Sequence, residues 1–146
     1  MLTIIFSMLI LFINPADKIK VKDAWMRVSA KGQSSALYMK IENNAEVADT
    51  LFKVEGNVSQ KIEIHETYQK DDMMGMREVQ FVVINPKSTF ELKPRAHHIM
   101  LIKLNNDLKL GDEHEFLLYF KNAGKIKIKA RVEEMKMHKK QNNHQH

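Results

Sequence analysis

Short segments in which apolar and polar residues alternate, separated at regular intervals by turn-forming residues, run through most of this sequence. Side chains alternate between the two faces of a strand, so this pattern is typical of half-buried β-strands. Strands are predicted at residues 18–28, 34–42, 50–55, 61–67, 76–84, 89–92, 97–104, 113–120 and 125–132. No convincing helical stretch lies between them, which argues against a parallel α/β architecture. The sequence therefore predicts an all-β sandwich or barrel.

The alternation also assigns side chains to faces. In the fourth predicted strand, Ile62 and Ile64 share one face, whereas Lys61, Glu63 and His65 share the other. The apolar face suits a core, so His65 is predicted to lie on the polar side of its strand.

Length and composition exclude several classes of protein. A chain of 146 residues is long enough for one domain with its own core. It contains no cysteine, which excludes disulfides, thiolate metal sites and a cysteine nucleophile. The net charge of +5 is dispersed, as where lysines alternate with apolar residues along 125–132. No segment combines basic residues with aromatics for base stacking, so nucleic-acid binding is not expected.

The two ends of the chain depart from the strand pattern. Residues 1–16 form an apolar leader that is too short to span a bilayer comfortably and fits the core of a signal peptide. Because a positively charged start is missing, a buried first strand is the alternative, and an uncleaved leader would tether the chain without a stable membrane span. Residues 133–146 are polar and low in complexity, which predicts a disordered tail. The folded domain is accordingly expected at 17–132, in an exported protein.

Histidine and methionine are unevenly distributed. All seven histidines lie at or beyond position 65, and Met73, Met74, Met76 and Met100 lie near the first three of them. Thioether sulfur together with imidazole nitrogen is a ligand set that suits Cu(I). Methionine has no proton to lose, whereas histidine must be neutral to bind a metal.

Four of these residues are candidate ligands of one metal ion. His98 and Met100 are two positions apart on a predicted strand, so their side chains point to the same face. A hairpin between the predicted strands at 61–67 and 76–84 would bring Met76 close to His65. Together the four would make a four-coordinate site, which a closed-shell ion tolerates well. Each has a plainer explanation by itself, since strand histidines are mostly surface residues and Met100 could fill the core.

The spacing of the four residues resembles the signature of a known family. His65 is followed after ten residues by Met76, and after a further twenty-one by His98-x-Met100, as in the periplasmic copper chaperones called PCuAC (the DUF461 family). The resemblance covers about residues 20–132 and extends to several other segments. These are Asp23-Ala24-Trp25-Met26-Arg27, Ser35-Ala36-Leu37-Tyr38-Met39-Lys40-Ile41-Glu42-Asn43, Lys61-Ile62-Glu63-Ile64-His65-Glu66, Phe90-Glu91-Leu92-Lys93-Pro94 and Leu108-Lys109-Leu110-Gly111-Asp112.

The resemblance implies both a fold and a function. The fold is a cupredoxin-like Greek-key β-sandwich. The function is that of a periplasmic metallochaperone, which holds Cu(I) and delivers it by ligand exchange to the dinuclear CuA centre of cytochrome c oxidase. The implied partners are oxidase subunit II, Sco-type thioredoxin-fold proteins, or both, and a monomer is expected.

Two positions depart from the family pattern. Glu66 stands where the family often has a methionine after the first histidine, which adds a carboxylate near the expected site. His97 stands where tyrosine or another bulky residue often precedes the second histidine. His97 and His114 are interpreted as non-ligands. Met73 and Met74 are interpreted as turn residues, with substitution of either for Met76 as the alternative.

The tail carries a second set of candidate ligands. Some members of the family have similar extensions that bind a second copper, often as Cu(II), and a flexible His/Met-rich composition is suited to metal binding. The alternative is a solvated polar tail. The residues concerned are Met135, Met137, His138, His144 and His146.

Three other functions are weighed against the chaperone. A copper buffer for resistance would share the site but have no dedicated acceptor. A metal-free binding or adhesive β-sandwich would need no site. An enzyme is not expected, because a blue-copper centre needs cysteine, a histidine brace needs an N-terminal histidine, and no hydrolase nucleophile motif occurs.

Overall fold

Ten β-strands make up the fold in the computed structural model, which describes residues 18–135. No α-helix occurs within that part of the chain, so the all-β prediction is confirmed. In chain order the strands are β1 (Ile19–Arg27), β2 (Ser35–Asn43), β3 (Asp49–Glu55), β4 (Ser59–Lys70), β5 (Met73–Glu78), β6 (Val82–Ile84), β7 (Ser88–Leu92), β8 (His98–Leu104), β9 (Glu113–Phe120) and β10 (Gly124–Glu133).

The strands form one open sheet in the order β5-β4-β8-β2-β1-β10-β9-β3-β6, with β7 paired to β2 beside this path. Neighbours run antiparallel except β1 and β10, which are parallel. The sequence neighbours β4 and β5 form a hairpin at one end of the sheet, and β8 pairs with the inner side of β4. Three strands that are far apart in sequence therefore lie side by side at that end.

A single hydrophobic cluster lies inside the sheet. It combines buried residues of β2, β4 and β8, such as Leu37, Ile64 and Leu101, with buried residues of β3, β9 and β10, such as Leu51 and Phe116. Because both halves of the sheet contribute to one core, the sheet folds over on itself as a sandwich does. The outer face of β4 and β8 does not pack into this core, so it can carry polar side chains.

The segment 76–84 was predicted as one strand, and that prediction is wrong. The structure divides it into β5 and β6, which lie at opposite ends of the sheet order. Val79 ends the hairpin by donating its backbone N–H to the carbonyl of Ile64, and the chain then crosses to β3. The apolar residues of both strands read as one run in sequence because the crossing contains no glycine or proline.

Two smaller differences concern the starts of β5 and β8. Met73 and Met74 lie in β5 and not in the turn, which consists of Asp71 and Asp72 with positive φ angles of 50° and 62°. Short polar side chains tolerate this left-handed backbone better than most residues. β8 begins at His98, so His97 belongs to the preceding loop.

The chain ends fall partly outside the described residues. The expected leader at 1–16 lies outside them, as do the tail positions Met137, His138, His144 and His146. β10 continues to Glu133, and Met135 beyond it is exposed. Within residues 18–135, no helix has both the length and the apolar character needed to cross a bilayer.

Candidate metal centre

The outer face of β5, β4 and β8 brings the predicted ligands together. In β8, Ile99 and Leu101 are fully buried in the core, so His98 and Met100 point to the opposite face. In β4, Ile64 is buried in the same core, so His65 also lies on the outer face. The alternation that builds the core therefore also orients the candidate ligands.

The register places the two histidines directly opposite each other. His65 pairs with His98 across the antiparallel strands, and the centroids of their rings are 5.8 Å apart. Met100 lies two residues after His98 on β8 and pairs with Glu63 of β4. Directly opposed residues and their neighbours two positions away share a face. The four side chains of these two pairs therefore line one patch of the sheet.

Met76 reaches the same patch from the edge of the sheet. It pairs with Thr67, which is two residues from His65 on β4, so Met76 and His65 share the outer face. Its side chain is 56% exposed, whereas His98 is only 4% exposed. The candidate centre is therefore closed at the His98 side and open at the Met76 side.

Packing on the other face of the hairpin holds Met76 in register. The ring of Tyr68 lies across Gly75, where an added Cβ would come within 2.7 Å of it, and the guanidinium of Arg77 lies 4.9 Å from the centre of the same ring. Any larger residue at position 75 would displace the ring. These contacts attach β5 to β4 although β5 itself contributes nothing to the buried core.

Glu63, a carboxylate that is not among the residues predicted from sequence to form the site, lies within the patch. Glu63 pairs with Met100, and its Oε2 is 2.6 Å from Nε2 of His65. Its other oxygen contacts the ammonium of Lys61. The hydrogen bond from His65, together with that from Lys61, lowers the pKa of Glu63. The alternation already placed Glu63 beside His65, and that signal could have identified it.

Glu66, the carboxylate that was expected near the site, lies on the opposite face of β4. It accepts a hydrogen bond of 2.6 Å from Nε of Arg77, and its second oxygen is 3.3 Å from Nε2 of His97. The ring of His97 also packs edge-on against Phe90. The two departures from the family pattern thus pair with each other, away from the candidate ligands.

The nitrogens of the two histidines fit a soft-metal site. Nδ1 of His65 is buried, and none of the residues in 18–135 offers it a hydrogen-bond partner. Nδ1 of His98 is 3.0 Å from the carbonyl oxygen of Ala96, which leaves Nε2 of His98 for another partner. Within the described part of the chain, no group of three or more His, Cys, Asp or Glu residues is placed to hold a metal. A metal at this patch would therefore need the thioethers, which are ligands for a soft ion.

Next to β8, the patch is bordered by β2 and then β1. Ala36 pairs with Met100, and Tyr38 two residues further on packs its ring 4.6 Å from that of Trp25. Burial lowers the pKa of His98 below its ordinary value of 6.5, and the positive charge of nearby Arg27 acts in the same direction. His98 is thus held in the neutral form that a metal ligand requires.

Comparison with protein families identifies the relatives of this chain. A family model described as "Putative lipoprotein LpqE-like" matches residues 19–132. "Putative lipoprotein Lxx21020" of Leifsonia xyli subsp. xyli is 24% identical over 120 residues, covering 82% of this chain and 72% of its own length. "Uncharacterized protein RP573" of Rickettsia prowazekii is 28% identical over 96 residues, and this chain spans only 53% of its length.

Solved structures show the same fold. The copper-bound PCuAC domain from PmoF2 superimposes with a TM-score of 0.68 at 25% identity, covering 80% of this chain and 93% of that domain. The apo PCuAC domain from PmoF1 gives 0.69 at 27% identity, covering 80% and 94%. The Cu(I) form of DR1885 from Deinococcus radiodurans gives 0.62 at 22% identity, covering 79% of each chain, and supports the fold alone. The predicted cupredoxin-like β-sandwich and the predicted family resemblance are confirmed.

The burial of His98 predicts a pH-dependent stability of the metal-free protein. Because the folded state lowers the pKa of His98, the unfolded chain binds its proton more readily, and the unfolding free energy falls as the pH drops through the unfolded value of 6.5. Urea denaturation of the chelator-treated protein at a series of pH values measures this. The His98→Gln variant should lose less stability than the wild type between about pH 8 and about pH 5. Parallel curves for the two proteins would contradict the assignment.

Proposed function

The chain belongs to the LpqE-like family, and from this premise we propose that it is an exported copper carrier that holds one Cu(I) ion and passes it to a copper-requiring partner. The proposed ligands are His65, Met76, His98 and Met100. One observation carries the proposal. These two imidazoles and two thioethers lie on one face of three neighbouring strands, with the histidines directly opposed.

The donor set favours monovalent copper. Thioether and imidazole ligands are neutral and soft, and they suit Cu(I) better than hard cations, which prefer several carboxylate oxygens. The carboxylate of Glu63 is already compensated by Lys61 and by its bond to His65. Glu63 therefore adds little net negative charge for a divalent ion, and Glu78, which pairs with His65 from β5, is solvent-exposed.

Relatives of known structure support copper as the cargo. The PCuAC domain from PmoF2, to which this chain is 25% identical, is described as copper-bound. The relatives described as lipoproteins support export. A soluble periplasmic location, or tethering through an uncleaved leader, is part of the proposal.

The uneven exposure of the ligands suggests how copper is released. His98 is buried and Met100 is half-buried, whereas Met76 lies exposed on the edge strand β5. An incoming ligand of the partner would reach the metal from the Met76 side and displace this thioether first. A cysteine thiolate binds Cu(I) more strongly than a thioether does, so transfer to a thiolate site is downhill. The dinuclear CuA centre of cytochrome c oxidase subunit II and the Sco-type proteins are the proposed acceptors.

Copper titration tests the proposed ligands. The full chain is titrated with Cu(I) under anaerobic, reducing conditions against a coloured Cu(I) chelator. We expect one tight equivalent, and we expect Met76→Leu and His98→Gln to weaken it by at least about tenfold, equivalent to about 1.4 kcal/mol.

Matched controls lie next to each ligand. Met73→Leu alters an exposed methionine on the other face of β5, and His97→Gln alters the histidine paired with Glu66. Neither should change the affinity. Equal losses in the control and ligand variants, or no binding by the wild type, would contradict the proposed site.

A deletion strain distinguishes delivery from buffering. If the protein delivers copper to the oxidase, its loss should lower cytochrome c oxidase activity in copper-poor medium, and added copper should restore the activity. The wild-type gene should complement the defect, whereas the Met100→Leu variant should not. Normal oxidase activity combined with sensitivity to excess copper would contradict delivery and support a copper buffer.

A further inference from the structure

Glu63 is the acidic side chain on the outer face of β4 and β8, and it lies at the Met100 end of the candidate patch. Its side chain is only 10% exposed. One of its oxygens contacts Lys61, and the other is 2.6 Å from Nε2 of His65. Both oxygens thus have partners. Both partners, Lys61 and His65, belong to the same strand as Glu63.

This contact fixes the position of the proton on His65. An ionised carboxylate has only acceptor sites, so the hydrogen of the 2.6 Å bond belongs to Nε2 of His65. In the neutral imidazole, the lone pair then lies on Nδ1. That atom is buried and has no hydrogen-bond partner within residues 18–135.

His98 has the opposite arrangement. Its Nδ1 is 3.0 Å from the backbone oxygen of Ala96. A carbonyl oxygen can only accept, so the hydrogen lies on Nδ1 and the lone pair on Nε2. The two opposed rings therefore offer different nitrogens to anything bound between them.

We propose that Glu63 is a positioning residue that holds His65 as its Nε2–H tautomer, so that Cu(I) is bound through Nδ1 of His65 and Nε2 of His98. This inference rests on the proposed function and specifies how its site is built. A carboxylate bonded to the far nitrogen of a ligating histidine fixes the orientation of the ring and makes the ligating nitrogen more basic. An unpaired buried acceptor costs free energy in the metal-free protein, and a metal at Nδ1 removes that cost.

The alternative role for Glu63 is that of a ligand, which would bind the metal itself and free Nε2 of His65. Its contacts with Lys61 and His65 argue against this role, because a metal bound to either oxygen would compete with the partner already on that oxygen. The two roles make different use of the His65 nitrogens, so a measurement at those nitrogens separates them.

Nitrogen-15 NMR of the full chain, labelled at histidine, provides that measurement. Two-bond proton–nitrogen correlations distinguish the ring nitrogens, and closed-shell Cu(I) does not broaden them. In the metal-free protein we expect the hydrogen on Nε2 of His65 and on Nδ1 of His98. One equivalent of Cu(I) should shift Nδ1 of His65 and Nε2 of His98.

Variants at two glutamates separate positioning from general structure. Glu63→Leu should release the tautomer of His65 and lower the Cu(I) affinity by about 10–100-fold. Glu63→Gln retains a carbonyl acceptor and should preserve the tautomer with a smaller loss. The matched control is Glu66→Leu, which removes a carboxylate from the opposite face of the same strand and should change neither.

The outcomes distinguish this inference from the function on which it rests. Binding of Cu(I) through Nε2 of His65, or an unchanged tautomer and affinity in Glu63→Leu, would overturn the role of Glu63 and leave the copper site intact. Absence of Cu(I) binding by the wild type would overturn the proposed function and this inference with it. The wild-type spectra decide the question even if a variant does not fold.

Discussion

The antiparallel register between β4 and β8 is the constraint on which the site depends. It places His65 opposite His98 and Glu63 opposite Met100, and the same register packs Ile64 and Leu101 into the core. A shift by one residue would move every outer side chain of β4 to the inner face. Because such a shift would also expose the core residues, the hydrophobic effect that stabilises the sandwich fixes the geometry of the outer face as well.

Part of this arrangement follows from sequence alone. The period-two alternation correctly assigned Ile64 to the core and placed His65 on the outer face, and the two-residue spacing placed His98 and Met100 together. The pairing of β4 with β8 could not be derived from local pattern, because it joins segments that are more than thirty residues apart. The resemblance to a family with the same ligand spacing implied that the ligands converge, but not which strands pair.

Other features were missed for physical reasons that can be named. The apolar residues of β5 and β6 form one run, and only tertiary pairing shows that they belong to different ends of the sheet. Glu66 was expected near the ligands because it follows His65, yet consecutive residues of a strand point to opposite faces. The same rule brings Glu63 to the site. A separation of two residues on a strand thus predicted a shared face, whereas direct adjacency in the chain did not.

The site combines a fixed part with an exposed part, and this combination suits a carrier. β8 is held between β4 and β2, and its His98 is buried and kept neutral. Met76 lies on the edge strand, which the ring of Tyr68 holds against β4. The buried ligand on β8 preserves the geometry for a soft ion, and the exposed ligand on β5 gives a partner access to that ion.

X-ray absorption spectroscopy of the full chain loaded with one equivalent of Cu(I) tests the central claim most directly, because it counts sulfur and nitrogen neighbours of the metal itself. The shared face of β5, β4 and β8 predicts a first shell of two sulfurs and two nitrogens, with one sulfur lost in Met76→Leu and none in Met73→Leu. A first shell of nitrogen and oxygen alone, or one that is the same in the Met76→Leu variant, would contradict a site built on these three strands.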